Sequence, residues 1–309
     1  MILLNLILSM VIAFPKPGAR LPSVDKTYLI GAVEPGSKEI LINDEVMAVH
    51  DLGGFVTMLN VEPGENDVRI EKLLADGTHL MLTNYSFNVA TKPKPSTSTS
   101  TSTSTQPRIY EKLAYASNVA RTNRLGVIYL DAGHGGNDTG TLSPHGIEEK
   151  DANLRMTKAV AHELRRLGVE VKLVRSSDTR LELYERARAA HVDPNASAFI
   201  SIHHNAPACD RDPRLVRYHA VYAWNQLGET LAKPINEAMA AALGSALPNN
   251  GVIHANYAVT RSPELPSCLI EVDFITTPEG ELDCWNRERR LMIASSIAKG
   301  ILKWRNALP

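Results

Sequence analysis

Glycines surround a single histidine in VIYLDAGHGGNDTG, residues 127–140. The apolar run before it reads as a strand. The glycines let the backbone turn sharply and leave room beside His134. A nucleotide-binding loop fails on spacing: counted from Gly133, the third glycine of G-x-G-x-x-G falls on Asp138, and no Gly-Lys-Ser/Thr ending follows. Asp131 and Asp138 would also repel a pyrophosphate. A histidine presented this way is a candidate metal ligand once others join it. SIHHN, residues 201–205, puts His203 and His204 just past a second apolar strand, and GIEEKD, residues 146–151, puts Glu148 and Glu149 after the glycine loop. Zinc in hydrolases commonly takes three N/O ligands and keeps one position for water, a need that two histidines and one glutamate meet. His162-Glu163 starts an H-E-x-x-H motif, but its fifth position is Arg166, so this pair reads as a surface helix. His145 and His254 read as loop or strand-end histidines.

From Gly126 onward, strands alternate with helices. GVIYLD, VEVKLVR, AFISIHH, YHAVYAW and CLIEVDF read as strands, with another short one near 257–260. Helices are expected over about 151–167, over LELYERARAAH, around 229–243, with Pro234 kinking or starting it, and over 287–304. This alternation predicts an α/β fold: a twisted, mostly parallel sheet with helices on both faces. Sites in such folds gather at the carboxyl ends of strands, where His134, His203 and Glu271 or their neighbours fall.

Residues 27–90 are different. Turn signals such as Pro35-Gly36, Asn43-Asp44 and Pro63-Gly64 separate short alternating runs, the mark of a small all-β sandwich preceding the α/β domain. Its bounds are set at 22–90, and it resembles, weakly, the Ig-like modules of secreted bacterial enzymes. Residues 91–107, TKPKPSTSTSTSTSTQP, cannot bury apolar area to offset ordering entropy, so a mobile linker is expected there, with the catalytic domain at 108–309. Residues 2–14, ILLNLILSMVIAF, are too short to span a bilayer comfortably and read as a leader ending near Ala13; a membrane anchor results only if that segment stays uncleaved.

Net charge is −1, which leaves no basic field for nucleic acid, and the failed phosphate loops leave no nucleotide site. Three cysteines without CxxC spacing make neither a disulfide framework nor a thiolate zinc site; Cys268, in an apolar run, reads as a core residue.

Four motifs, LDAGHGGNDTG…GIEEKD, VRSSDTRLELYERARAA, FISIHHNA and LPSCLIEVDFITTPE, resemble in order and spacing those of the zinc-dependent N-acetylmuramoyl-L-alanine amidases of the amidase_3 family. The resemblance runs from about Val127 to Ile301. It implies Zn2+ as cofactor and peptidoglycan as substrate, while the leader, if it is one, places the protein outside the cytoplasmic membrane, secreted or in the periplasm or cell envelope. By position it implies His134, Glu149 and His203 as zinc ligands. Glu149 is taken over Glu148 because the family's ligand directly precedes the lysine, here Lys150, and His203 over His204 because the ligand follows Ser-Ile. Glu271 matches the family's catalytic glutamate. It interrupts an apolar run, where a charge is costly unless paired or functional. One departure stands out: the usual Val-Gly-Phe after that glutamate is Val272-Asp273-Phe274 here. No surplus segment lies between His203 and Glu271, so the self-inhibition known in some relatives is not expected. Two other readings remain at this point: zinc hydrolysis of a different amide, and wall binding without catalysis.

Overall fold

The computed structural model describes residues 10–74, 78–91, 126–208 and 216–308. Most of the expected leader, nearly all of the Ser/Thr linker, and Cys209 lie outside those residues.

The amino-terminal region is all-β. Strands β1 (Val11–Phe14), β3 (Lys26–Ala32) and β6 (Gly54–Asn60) form one sheet. A second sheet is built from β2 (Arg20–Leu21), β4 (Glu39–Ile42), β5 (Glu45–Ala48), β7 (Gly64–Leu73) and β8 (His79–Val89), in the order β2-β8-β7-β4-β5. Leu29 and Phe55 from the first sheet meet Ile40, Ile70 and Phe87 from the second in one core. Asn43 and Asp44, both at positive φ, make the two-residue hairpin between β4 and β5, a conformation that Asn and Asp tolerate.

This module starts earlier than residue 22, since β1 and β2 precede that boundary. Apolar residues serve a leader or a strand equally well, and here residues 11–14 pair with β3 and bury Ala13. Cleavage after Ala13 would remove most of that strand.

The carboxyl-terminal domain is an α/β sheet in the order β10-β9-β11-β14-β12-β13, parallel except where β12 runs against β14. Its strands are β9 (Val127–Ala132), β10 (Val171–Leu173), β11 (Ala196–Asn205), β12 (His219–Ala223), β13 (Asn249–His254) and β14 (Ser267–Phe274). Helices α1 (Glu149–Arg166), α3 (Gln226–Leu243) and α5 (Arg287–Asn306) cover one face over Leu130, Ile200 and Ile270. On the other face α2 (Leu183–His191) packs with Tyr129, Phe199 and Leu269. Both faces of the central strands are therefore apolar, which explains their unbroken hydrophobic runs.

Several details differ from the sequence reading. Residues 258–260 form a 3-10 turn, and the edge strand is β13. A helix α4 (Pro278–Trp285) was not foreseen, although Thr277 caps it through Gly280 N, Pro278 opens it and Glu279 lies in its first turn. Helix α3 runs through Pro234 and starts at Gln226, capped by Asn225. Where α3 crosses α5, Gly300 lies so close to Ile235 that a Cβ there would fall 2.4 Å from its Cα.

The module also rests on the α/β domain. Gly54 lies against Pro144 and Pro278, Leu142 joins Ala13, Ile30 and Val56, and His145 Nε2 is 3.1 Å from the Leu52 carbonyl oxygen.

Candidate metal centre and its neighbouring glutamate

The turn after β9 delivers His134 in a left-handed conformation, φ 60°, rare for a residue with a side chain. Its surroundings hold it there. Gly135 and Asp138 exchange backbone hydrogen bonds of 2.9 and 3.1 Å, and Arg186 donates to the His134 carbonyl at 2.7 Å. Arg186 also donates to Asp131 and to the Ala132 carbonyl, while Arg175 donates to the carbonyls of Ala132, Gly133 and Lys150. Two buried guanidiniums thus fix the loop by its carbonyls, as their multiple donors suit them to do. Strain of this kind is commonly retained at functional sites.

Glu149 enters as the first residue of α1. Its Oε1 lies 3.2 Å from His134 Nε2 and 3.0 Å from His203 Nδ1, and it accepts from Asn153 Nδ2 at 3.0 Å; Oε2 accepts from Thr141 N at 3.1 Å. One ligand atom from each of His134, Glu149 and His203 can be chosen so that all lie within 4.8 Å of one another. Asp138 Oδ1 is 2.9 Å from the other ring nitrogen of His134, the position from which a carboxylate orients a ligating imidazole.

The surroundings fit a metal ion. A Cβ at Gly133 would fall 2.1 Å from the His203 ring, and one at Gly140 would meet Glu149 and His134 at 2.5 and 2.8 Å, so both glycines keep the cradle open. Burial pushes the Glu149 carboxyl up, but hydrogen bonds and charge from His134 and His203 reverse this and hold it well below its usual range. Burial pulls His134 down, and Glu149 and Asp138 outweigh it and leave the imidazole raised. Positive charge is therefore favoured at this spot, which a divalent cation would supply.

Glu271 stands in register beside His203, on β14. Its Oε2 is buried without a hydrogen-bond partner. Burial, followed by the charge on Glu149, pushes this carboxyl well above its usual range.

His204 and Glu148 do not join the cluster: His204 Nδ1 is 2.8 Å from Asn153 Oδ1, and Glu148 pairs with Lys150. His162 pairs with Glu163 on the outside of α1, His145 with Glu281, and His254 lies against Trp224. Asn153 had no place in the sequence reading. It ties Glu149, His204 and the Gly133 carbonyl together, and its only sequence signal is its i+4 spacing from Glu149. Asp273 is buried and gripped by Arg217 at 2.6 to 3.1 Å; beside it, buried Asp283 pairs with Arg289. Burial, with Asp283 beside it, pushes the Asp273 carboxyl up against the pull of Arg217, so Asp273 belongs to a buried network with Asp283, Arg217 and Arg289.

An α/β sheet with a His-Glu-His cluster and, at its strand ends, a glutamate with a buried unpaired oxygen has the form of a metal-assisted hydrolase. The family is explicit: residues 128–303 match the Amidase_3 family, N-acetylmuramoyl-L-alanine amidase, and the chain belongs to it. It is 30% identical to the N-acetylmuramoyl-L-alanine amidase AmiA of Escherichia coli over 58% of this chain and 75% of that protein. It is 27% identical to AmiC of Neisseria meningitidis over 85% of this chain and 69% of that one. Among solved structures, AmiC2 of Nostoc punctiforme shares 34% identity at a TM-score of 0.54, covering 59% of this chain and 97% of that one. The amidase from Clostridium difficile 630 shares 28% at 0.56, covering 60% and 100%.

Proposed function

We propose that the protein hydrolyses the amide between the muramic acid lactyl group and L-alanine in peptidoglycan, with Zn2+ held by His134, Glu149 and His203. What carries the reading is the donor cluster, within 4.8 Å, in a member of this family. When bound, the metal supplies a Lewis acid that polarises the scissile carbonyl and lowers the pKa of water to about 7.

The chain's own residues do the rest. Asp138 and Asn153 hold His134 and Glu149 in orientation. Glu271 takes a proton from the water that attacks the carbonyl carbon and returns it to the alanine nitrogen as the C–N bond breaks, leaving a lactyl carboxylate and a free amine. A carboxyl whose hold on a proton is strengthened by burial is suited to take that proton up and hand it on. The substrate lies outside the cytoplasmic membrane, and the apolar amino terminus supports export. Among the described residues no helix is long and apolar enough to cross a membrane. No long segment is inserted in the sequence between His203 and Glu271, which supports an enzyme that is not self-inhibited, and the β module serves as a spacer or binding module.

The test is mass spectrometry of soluble products after zinc-loaded full-length protein digests purified peptidoglycan. Peptides beginning at L-alanine, with glycan strands intact, are expected. Cleavage within the stem peptide, or an untouched wall, would refute the reading.

A further inference from the structure

The stretch YHAVYAW, residues 218–224, spans β12 and its flanks and divides its side chains cleanly. His219, Val221 and Ala223 are buried, whereas Tyr218, Tyr222 and Trp224 are only half-buried on the opposite face. Ala220 shares that face, and the antiparallel register sets it opposite Glu271, with Tyr222 opposite Leu269. Residues directly opposite in such a pair project to the same side. An aromatic stripe therefore runs past Glu271, with a methyl-sized gap where the carboxylate needs room. Two further rings extend it. Tyr257 packs edge-on against Tyr222 at 5.4 Å, and His254 lies 4.8 Å from Trp224. Tyr257 is 45% exposed.

Helix α2 covers this side of the sheet over β11 and against the 258–260 turn, and the β12 end carries the aromatic rings instead. Rings in a core need no exposure, whereas half-exposed rings beside a reactive carboxyl form a surface able to pack against a ligand. The charge there decides which ligand. Burial raises the phenols of Tyr222 and Tyr257, and Glu271 and neighbouring tyrosines raise them further. The adjacent cation, Arg217, is taken up by Asp273. Among the described residues, Arg261 beside Tyr257 is likewise engaged, donating to Oδ1 and the carbonyl oxygen of Asn256. An exposed arginine, Arg180, lies beyond β11, next to the glycine loop. From Ala220 to Trp224 the strand advances about 13 Å, longer than one pyranose ring.

We propose that Tyr222, Trp224 and Tyr257 form the glycan-binding wall of the cleft, stacking on uncharged N-acetylhexosamine rings next to the muramic acid whose amide is cut. The inference rests on the amidase reading and adds to it which side of the site takes sugar and which residues do so.

The experiment is calorimetric titration of the full-length protein with uncharged β-1,4-linked N-acetylglucosamine oligomers, which share the glycan backbone. Trp224→Ala and Tyr257→Ala each weaken binding about tenfold or more, Tyr257→Phe keeps it by keeping the ring, and Tyr184→Ala, an exposed tyrosine on α2, leaves it unchanged. No binding by the parent protein, equal binding by the alanine variants, or loss in Tyr184→Ala would overturn the proposal. Circular dichroism of each variant separates lost contact from lost fold. Turnover does not enter this readout, so a failed amidase reading shows itself separately, as wall left uncut by a protein that still binds the oligomers.

Discussion

Glu149 and Glu271 both adjoin His203, yet the protein treats them in opposite ways. On the glycine-loop side, both oxygens of Glu149 have partners: two imidazoles, the Asn153 amide and the Thr141 N–H hold the carboxylate and keep it ionised. On the β14 side, Glu271 has a buried oxygen without a partner, and its proton is held more tightly. In the proposed mechanism the same side chain becomes a ligand in one place and a proton carrier in the other. The difference lies in the donors that surround it, and pairs of carboxyls driven apart in this way are a recurring mark of divided catalytic labour.

The largest way to break this comparison is on the Glu149 side. Glu149→Ala is expected to lose bound zinc and all detectable peptide release, while Glu148→Ala keeps both; metal analysis after gel filtration checks it, and the reverse outcome would reassign the ligand.

Next come the supports of the glycine loop. Arg186→Ala leaves Asp131 buried without its counter-ion, with the Ser201 hydroxyl still donating to it, and breaking such a pair costs about 3–5 kcal/mol. Urea unfolding should show a loss of that size. A change under 1 kcal/mol would mean that the loop is held by other contacts. Asn153→Ala removes a hydrogen bond to Glu149 without touching the cluster directly, and is expected to weaken zinc affinity about 10–100-fold. A chelator competition titration reads this.

The smallest effect sharpens the Glu271 side. A carboxyl whose folded pKa is raised contributes stability that is full below its unfolded pKa and lost as pH rises toward the folded value. Glu271→Gln carries no such titration. In metal-free protein its melting temperature should therefore gain on the parent's as pH climbs above about 4.5. A gap that narrows with rising pH would show that Glu271 is stabilised as a carboxylate.

Much of this arrangement was legible in the residues, because the central strands are long apolar runs and their ends carry the reactive side chains. His134, Glu149, His203 and Glu271 each stand out against glycine or apolar neighbours. What was not legible depends on contacts far apart in sequence. Asn153 and Asp273 take their meaning from His204, Arg217 and other partners that no local pattern announces. The 3-10 turn at 258–260 took the place of an expected strand because tertiary packing outweighs weak local preference in so short a run. Residues 11–14 carry apolarity that a leader and an edge strand share, so composition could not divide those roles.

The central claim is that one glutamate holds the metal and the other moves the proton. It is tested most directly by measuring zinc content and peptide release together in Glu271→Gln. The account predicts one zinc per chain, as in the parent, with turnover lower by about 10²–10⁴-fold. Zinc lost along with activity, or activity retained at the parent rate, would contradict it.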